Sequence, residues 1–418
     1  MEETKQEKTY GVAFAGEEET TIYNSFVKEL TAWAKSGTLP ESGNQDTAFY
    51  LELQQSRLKK RNIRMEYRFS SGKNQDSAHC VERKDGKYTN KMVFSGINRE
   101  IRFFKGNSCK FRDKKDMILY QIITWLNDSS VNREEPYCCP NCSAVSPVKA
   151  LLTGCPYCGT RFQMTDLFPK VTDFFCLDDF SLGENEMEGM AKNAVIAGAG
   201  IGFLLNGLIS LGGGFSLGRM VMMMVVFAFF GYMALSFALL CGLLKGSISA
   251  APLLARRNDA RKKITALLKQ YDSGFSYEYF VNKIVSSLKM ILFSEDRSNL
   301  VVCQGEISED AFRDIIDAAY KGAIGLNSYK VEGKYCYLDI DLYMVDIHDG
   351  SRIYKKDDVF RMKVCKDITK PEDYGFSIRK VQCRGCGGSF DASRIRYCPY
   401  CGREYDLKED DWVVLEIK

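Results

Sequence analysis

The chain has 418 residues, more than one hydrophobic core usually takes, and 57 Lys and Arg stand against 54 Asp and Glu. A formal net charge of +3 is too small to imply a nucleic-acid partner by itself, and two histidines leave little room for Cys-His or Ser-His catalysis. Sixteen cysteines would suit a disulfide scaffold in a secreted chain, but the polar start MEETKQEKTY predicts no secretory signal, and half of the cysteines fall into CxxC pairs, which favours metal in a reducing compartment.

Residues 1–135 read as a basic α+β domain. Ile22, Phe26, Leu30 and Trp33 predict a helix over Thr21–Lys35, ended by Ser36-Gly37 and Pro40. Phe49, Leu51 and Leu53 alternate with polar neighbours and predict an extended segment. The runs Lys91–Phe94 and Glu100–Phe104 predict strands, with turns at Asp85-Gly86, Ser95-Gly96 and Lys105-Gly106. Met117, Tyr120, Ile123 and Leu126 return to helical spacing over Asp116–Leu126. Basic residues cluster at Arg57, Lys59, Lys60, Arg61, Arg64 and Arg68, and a solvated face is the expected reading, with lipid phosphate the better of the functional ones. His79 and His348 are expected at the surface.

Residues 136–180 form a first zinc ribbon and a following extended run, Phe168–Phe175. Its knuckles are Cys139-Pro-Asn-Cys142 and Cys155-Pro-Tyr-Cys158-Gly159; near the C-terminus the pattern recurs as Cys383-Arg-Gly-Cys386-Gly387 and Cys398-Pro-Tyr-Cys401-Gly402, within a second ribbon at 383–402. In a CxxC turn both thiolates converge on one ion, and a glycine after the second cysteine permits the positive φ that aims amides at sulfur. Four thiolates close the tetrahedral shell that Zn²⁺ takes in structural sites, so two structural Zn²⁺ are expected and no catalysis at either. Cys138 is left outside because Cys139 preserves the spacing.

Residues 194–244 are two apolar runs joined by Ser216-Leu217-Gly218-Arg219, and apart from Arg219 no Asp, Glu, Lys or Arg lies between Asn193 and Lys245. Each run has about the 20 residues that a helix needs to cross a bilayer, so a transmembrane hairpin is predicted. Gly198, Gly202, Asn206, Ser210 and Gly214 recur every four residues, as do Ala234, Ala238 and Gly242. Small residues at this interval let helices approach closely in lipid, so these stripes are expected to face each other or a second hairpin, which allows a homo-oligomer. Residues 245–270 predict a basic juxtamembrane helix whose Arg256, Arg257, Arg261, Lys262 and Lys263 would meet anionic lipid. The basic flank marks its side as cytoplasmic, and a two-pass hairpin returns the chain there, so both termini are expected in the cytoplasm.

In residues 271–418, Phe280, Ile284, Leu288 and Ile291 predict a helix from about Ser276. A second helix is expected from Ser308, with Glu309 and Asp310 in its first turn and Phe312, Ile315, Ile316 and Ala319 buried. Cys336, Leu338, Ile340, Leu342 and Met344 predict a strand turned at His348-Asp349-Gly350, followed by strands at Phe360–Val364, Phe376–Val381 and Trp412–Ile417. The order of these elements, with FSYEYFVNKIVSSL, AFRDIIDAAYKG and DWVVLEI, resembles the Tim44-like family over about the last third of the chain. The resemblance implies a cystatin/NTF2-like fold, membrane-associated scaffolding or protein translocation, and a cavity for an apolar group; it carries no catalytic residues. This chain departs from the family by placing a ribbon between the last two strands.

The expectation is therefore an α+β protein of two cytoplasmic α+β units, each with a zinc ribbon, joined by a two-helix transmembrane hairpin. The expected role is a non-enzymatic scaffold or adaptor with membrane lipid and proteins as partners and no nucleic acid. The alternatives are an enzyme using an NTF2-like cavity, with Asp339 or Asp341 as base, and a membrane-tethered nucleic-acid binder. The halves also echo each other: Phe26-Val-Lys-Glu-Leu30 resembles Phe280-Val-Asn-Lys-Ile284, and each half closes with a ribbon and an extended run.

Overall fold

A computed structural model describes residues 12–71, 78–85, 88–126, 136–139, 142–151, 155–159, 169–178, 184–214, 216–305, 307, 311–370 and 381–418. The chain is mixed α+β. Its first half holds β1 (Val12–Phe14), α1 (Glu17–Ser36), α2 (Gln45–Lys60), β2 (Ile63–Ser71), β3 (His79–Asp85), β4 (Tyr88–Lys105), β5 (Ser108–Leu126), β6 (Pro136–Cys138), β7 (Val145–Pro147), α3 (Val148–Leu151) and β8 (Lys170–Asp178). Then come α4 (Glu184–Gly213) and α5 (Leu217–Leu268). The last part holds α6 (Tyr277–Phe293), β9 (Ile315–Glu332), β10 (Tyr335–Asp349), β11 (Ile353–Asp367), β12 (Val381–Gln382), β13 (Ser389–Phe390) and β14 (Val413–Ile417). One antiparallel sheet runs β1-β3-β4-β5-β8, with β2 also pairing β4; a second runs β14-β11-β10-β9.

The described residues of Met1–Ser70, Asp76–Asp178 and Arg256–Lys418 form one compact unit, and Asp179–Ala255 belongs to another. The two soluble halves expected to stand apart are thus one unit, and buried polar stitches explain why. Arg57 on α2 is fully buried; its Nε meets Glu295 at 2.8 Å, and its terminal nitrogens donate to the carbonyls of Phe312, Ile315 and Ser294 at 2.9, 3.0 and 3.1 Å. Gln54 donates to the Ile316 carbonyl and to Asp317. Lys283 on α6 lies 2.9 Å from Asp46 and 3.1 Å from Asp411. Burial opposes its charge, but the two carboxylates outweigh it and hold the ammonium pKa well above its ordinary value. Breaking such a buried pair from one side costs about 3–5 kcal/mol.

Four local expectations change. Phe49–Leu53 is not extended: Asn44 caps α2 by accepting from the Thr47 amide at 2.8 Å, and the helix buries Gln54 and Arg57, whose polarity hid its period. Asp116–Leu126 is strand β5, with Met117, Leu119, Gln121 and Ile123 buried on one face; buried Gln121 masked the alternation. Ser95-Gly96 is no turn but lies inside β4, paired with Leu119 and Ile118. Ile315, Ile316 and Ala319 lie in β9, whose β-branched start pairs with β10 in place of forming a helix; Ser308, Glu309 and Asp310 fall outside the described residues, as does the Phe376–Val381 strand apart from Val381. Two predicted helix ends fall where expected. Gly37 ends α1 at φ 81°, and Ser276 caps α6. Gly322, at φ 76°, lets β9 approach β8: a Cβ there would sit 3.2 Å from the Phe175 ring.

In Asp179–Ala255, Met190–Leu211 and Leu217–Phe237 are long and apolar enough to cross a membrane as a hairpin. Their outward side chains are not a hidden core: Leu204, Leu208, Val225, Phe229 and Phe237 are 60–68% exposed. An apolar surface of this extent marks a membrane or a protein contact. The pair packs where the first small-residue stripe predicted. A Cβ on Gly198 would meet the Phe227 carbonyl oxygen at 2.2 Å, and one on Gly202 the Met223 oxygen at 2.5 Å. Asn206 is buried and accepts from Arg219 Nε at 3.0 Å; Arg219 also donates to Ser210 and to the Gly214 carbonyl. The second stripe departs from expectation. Gly231, whose Cβ would meet the Ala194 oxygen, takes the close approach, while Ala234 is exposed. The packing of Ala238 and Gly242 lies outside what is described.

Candidate metal centres

Each ribbon is built from short, local geometry. In the first, β6 and β7 form a hairpin with Cys138 opposite Val145, so Cys139 begins the knuckle. The Cys139 amide donates to the Ala144 carbonyl at 2.8 Å, and the Ser143 amide returns to the Cys139 carbonyl at 2.9 Å. In the second, β12 pairs with β13, and the Cys383 and Gly387 amides make the same two bonds, to Gly388 and Cys383. Residues after the second cysteine of each knuckle have positive φ: Ser143 60°, Gly159 69°, Gly387 74° and Gly402 72°. Only the first knuckle uses a residue with a Cβ there.

The eight predicted cysteines form two groups of four, each able to present its sulfurs to one ion. Cys139 and Cys158 Sγ are 3.7 Å apart and Cys142 and Cys155 3.6 Å; Cys383 and Cys401 are 3.5 Å apart and Cys386 and Cys398 3.7 Å. A tetrahedral thiolate shell with metal–sulfur bonds of about 2.3 Å has edges of about 3.8 Å. The fit is close, and both groups could bind zinc. Amides of Cys386 and Gly385 hold the Cys383 thiol down at about 6, while Cys386, against the Gly388 amide, is pushed up to about 11 by burial and the neighbouring cysteine sulfurs, so the four crowded thiols share their protons unevenly. In both groups the first cysteine of each knuckle is buried and the second exposed. Cys-Pro-Tyr-Cys places Tyr157 and Tyr400 at matching points, 71% and 69% exposed.

The predicted lipid-binding residues lie on the C-terminal part of α5, continuous with the second apolar run rather than on a separate helix. Arg261 pairs with Glu278, Lys263 with Asp259 at 2.8 Å, and Arg256 donates to the Tyr343 hydroxyl. Arg257, Arg261 and Lys262 also line a cavity of about 670 Å³ with Met92, Phe175 and Tyr320. Asp339 and Asp341, the candidate bases, sit on the outer sheet face. Arg361 pairs with Asp339 at 2.8 Å and Asn327 donates to Asp341 at 2.8 Å, so an exposed ion pair and an exposed hydrogen bond account for them. His348, expected at the surface, is 6% exposed. Its neighbours Asp346 and Asp358 were not singled out in the sequence; the one available signal is that Asp346 and His348 continue the apolar alternation of β10 inward.

Comparison with protein-family models, with curated proteins and with solved structures found no match.

Proposed function

We propose that this protein is a membrane-anchored scaffold or adaptor that binds or assembles proteins at the bilayer surface, with two structural Zn²⁺ ions. The observation that carries the proposal is the pairing of an outwardly apolar hairpin with a separate α+β unit whose two Cys₄ groups have closed ligand shells. A closed tetrathiolate stabilises a surface and leaves no position for substrate. Exposed Tyr157 and Tyr400, at matching knuckle tips, are the residue type that anchors protein contacts. The order of α6, the β9-β10-β11 meander and β14 supports a cystatin/NTF2-like C-terminal part. The basic stretch of α5 supports placing both termini on the cytoplasmic side, against anionic lipid. A homo-oligomer through the hairpin remains compatible with its exposed apolar faces.

The test is cross-linking in native membranes with photoreactive residues at positions 157 and 400, beside a hairpin-only control. The scaffold reading expects discrete protein adducts that disappear with Tyr157→Ala and Tyr400→Ala while zinc content stays at two per chain. Adducts identical to those of the control would remove it. The enzymatic alternative finds no support at Asp339 or Asp341, for the reasons given above.

A further inference from the structure

The inner face of β10 carries Cys336, Leu338, Ile340, Leu342 and Met344, all fully buried, and then, in the same phase, Asp346 and His348. Polar groups at core positions need partners. Yet both carboxylate oxygens of Asp346 and Nε2 of His348 make no hydrogen bond, with Asp346 0% and His348 6% exposed. β11 brings Asp358 to the same place, in phase with buried Phe360 and Met362. One ligand atom from each of Asp346, His348 and Asp358 lies within 4.8 Å of the others. Asp358 Oδ2 is 3.7 Å from His348 Nε2, and its other oxygen meets Lys356 Nζ at 2.8 Å.

The imidazole is held for this purpose from behind. Asp314 Oδ2 lies 2.8 Å from His348 Nδ1, and the Tyr354 ring stacks on the imidazole at 5.1 Å and 10°. With Nδ1–H donating to Asp314, the Nε2 lone pair is left toward the two carboxylates. A carboxylate on the far nitrogen is the partner that orients metal-binding histidines. In the pairing of β10 with β9, a register shift falls between Ile347 and His348, the kind of irregularity that re-aims a side chain. Burial first, then the charge of Asp358, push the Asp346 carboxyl up to about 8. Among the described residues no cation pairs with it.

We propose that Asp346, His348 and Asp358 bind a first-row divalent cation of the Mn²⁺ or Zn²⁺ class. Two carboxylates balance the double charge, and an imidazole nitrogen disfavours Ca²⁺ and Mg²⁺, which take oxygen shells. The Asp358 side chain is 26% exposed, which gives the ion a way in and leaves its open positions to water. The mixed nitrogen–oxygen set is chemically distinct from the thiolate groups, and the proposal does not depend on the scaffold reading.

The test uses the full chain in detergent with both Cys₄ groups zinc-loaded, titrated with Mn²⁺ under electron paramagnetic resonance and, separately, with Zn²⁺ under metal counting. The expected result is one further ion per chain for at least one of the two metals. Asp346→Asn should abolish it, Asp358→Asn should weaken it at least tenfold, and Asp314→Asn should weaken it about tenfold through loss of imidazole orientation. The zinc count at the Cys₄ groups should stay at two throughout. Because burial holds the Asp346 carboxyl mostly protonated until about pH 8, Asp346→Asn should fold as well as the metal-free parent at neutral pH and melt higher than it above about pH 8, which separates lost binding from lost structure. Failure of both metals to add a third ion, or binding that Asp346→Asn and Asp358→Asn leave unchanged, would overturn the proposal.

Discussion

The two ribbons share knuckle spacing, hairpin register and an exposed tyrosine, but not their surroundings. Among the described residues, the first has a small core of its own, Cys139, Leu151 and Cys155. The second belongs to the main core, where Val381, Cys383, Phe390, Ala392, Cys398 and Tyr405 are packed with the strands and helices. Arg396 adds donors to the Leu300 and Cys303 carbonyls at 2.9 and 2.6 Å. One motif thus serves as a satellite in one place and as part of the foundation in the other. Identical ligands do not make identical contributions to stability, because metal-binding energy reaches only as far as the packing that depends on it.

This comparison can be broken by metal removal. Cys398→Ser should destabilise the main unit by about 4 kcal/mol or more and shift the whole far-UV melt, since it strands buried thiolates inside the core. Cys155→Ser should leave that melt within about 1 kcal/mol while abolishing one zinc. Equal shifts would mean that the two ribbons are equally coupled. The polar groups that follow each ribbon sharpen the contrast. Asp411, after the second, is bound by Lys283, so Lys283→Met should cost about 3–5 kcal/mol in urea unfolding by leaving Asp46 and Asp411 uncompensated.

Asp173, on the strand after the first ribbon, has no such partner at Oδ2, and Lys289 acts on it only at longer range. Burial holds its pKa up at about 6. Its folded value is above its unfolded one, so its contribution is fully present below about pH 4 and is lost as pH rises through about 6. Asp173→Asn should remove that slope and gain on the order of 3 kcal/mol at pH 7, at about 1.4 kcal/mol per tenfold, read from melts at a series of pH values. The smallest effect belongs to Ser143, the one knuckle residue with a Cβ at positive φ. Ser143→Gly should relieve about 1 kcal/mol and tighten the first metal site about fivefold in a chelator competition.

What could be read before any coordinates was local chemistry. The eight cysteine ligands and the apolar hairpin are written in short windows, where spacing and the absence of charge leave few alternatives. What could not be read was chemistry shared across the chain. Arg57 looks like a member of a basic surface cluster until Glu295 and three carbonyls surround it. α2 and β5 are hidden in the sequence for the same reason: each buries a polar residue, Gln54 or Gln121, whose partner lies elsewhere, so the apolar period is broken where it matters. Asp346 and His348 are legible as an oddity in β10, but Asp358 and Asp314 come from other segments.

In both halves the strand after the ribbon returns to the strand before it: β8 pairs with β5, and β14 with β11. Each ribbon is therefore an excursion in the closing connection of a sheet. A chain made without metal for its Cys₄ groups would have to close those connections as long floppy loops, at a higher entropic cost. Until it did, β5 and β11 would present bare sheet edges, the surfaces on which chains aggregate. The supply of whatever metal the two Cys₄ groups take would then set how much of this protein survives its own synthesis.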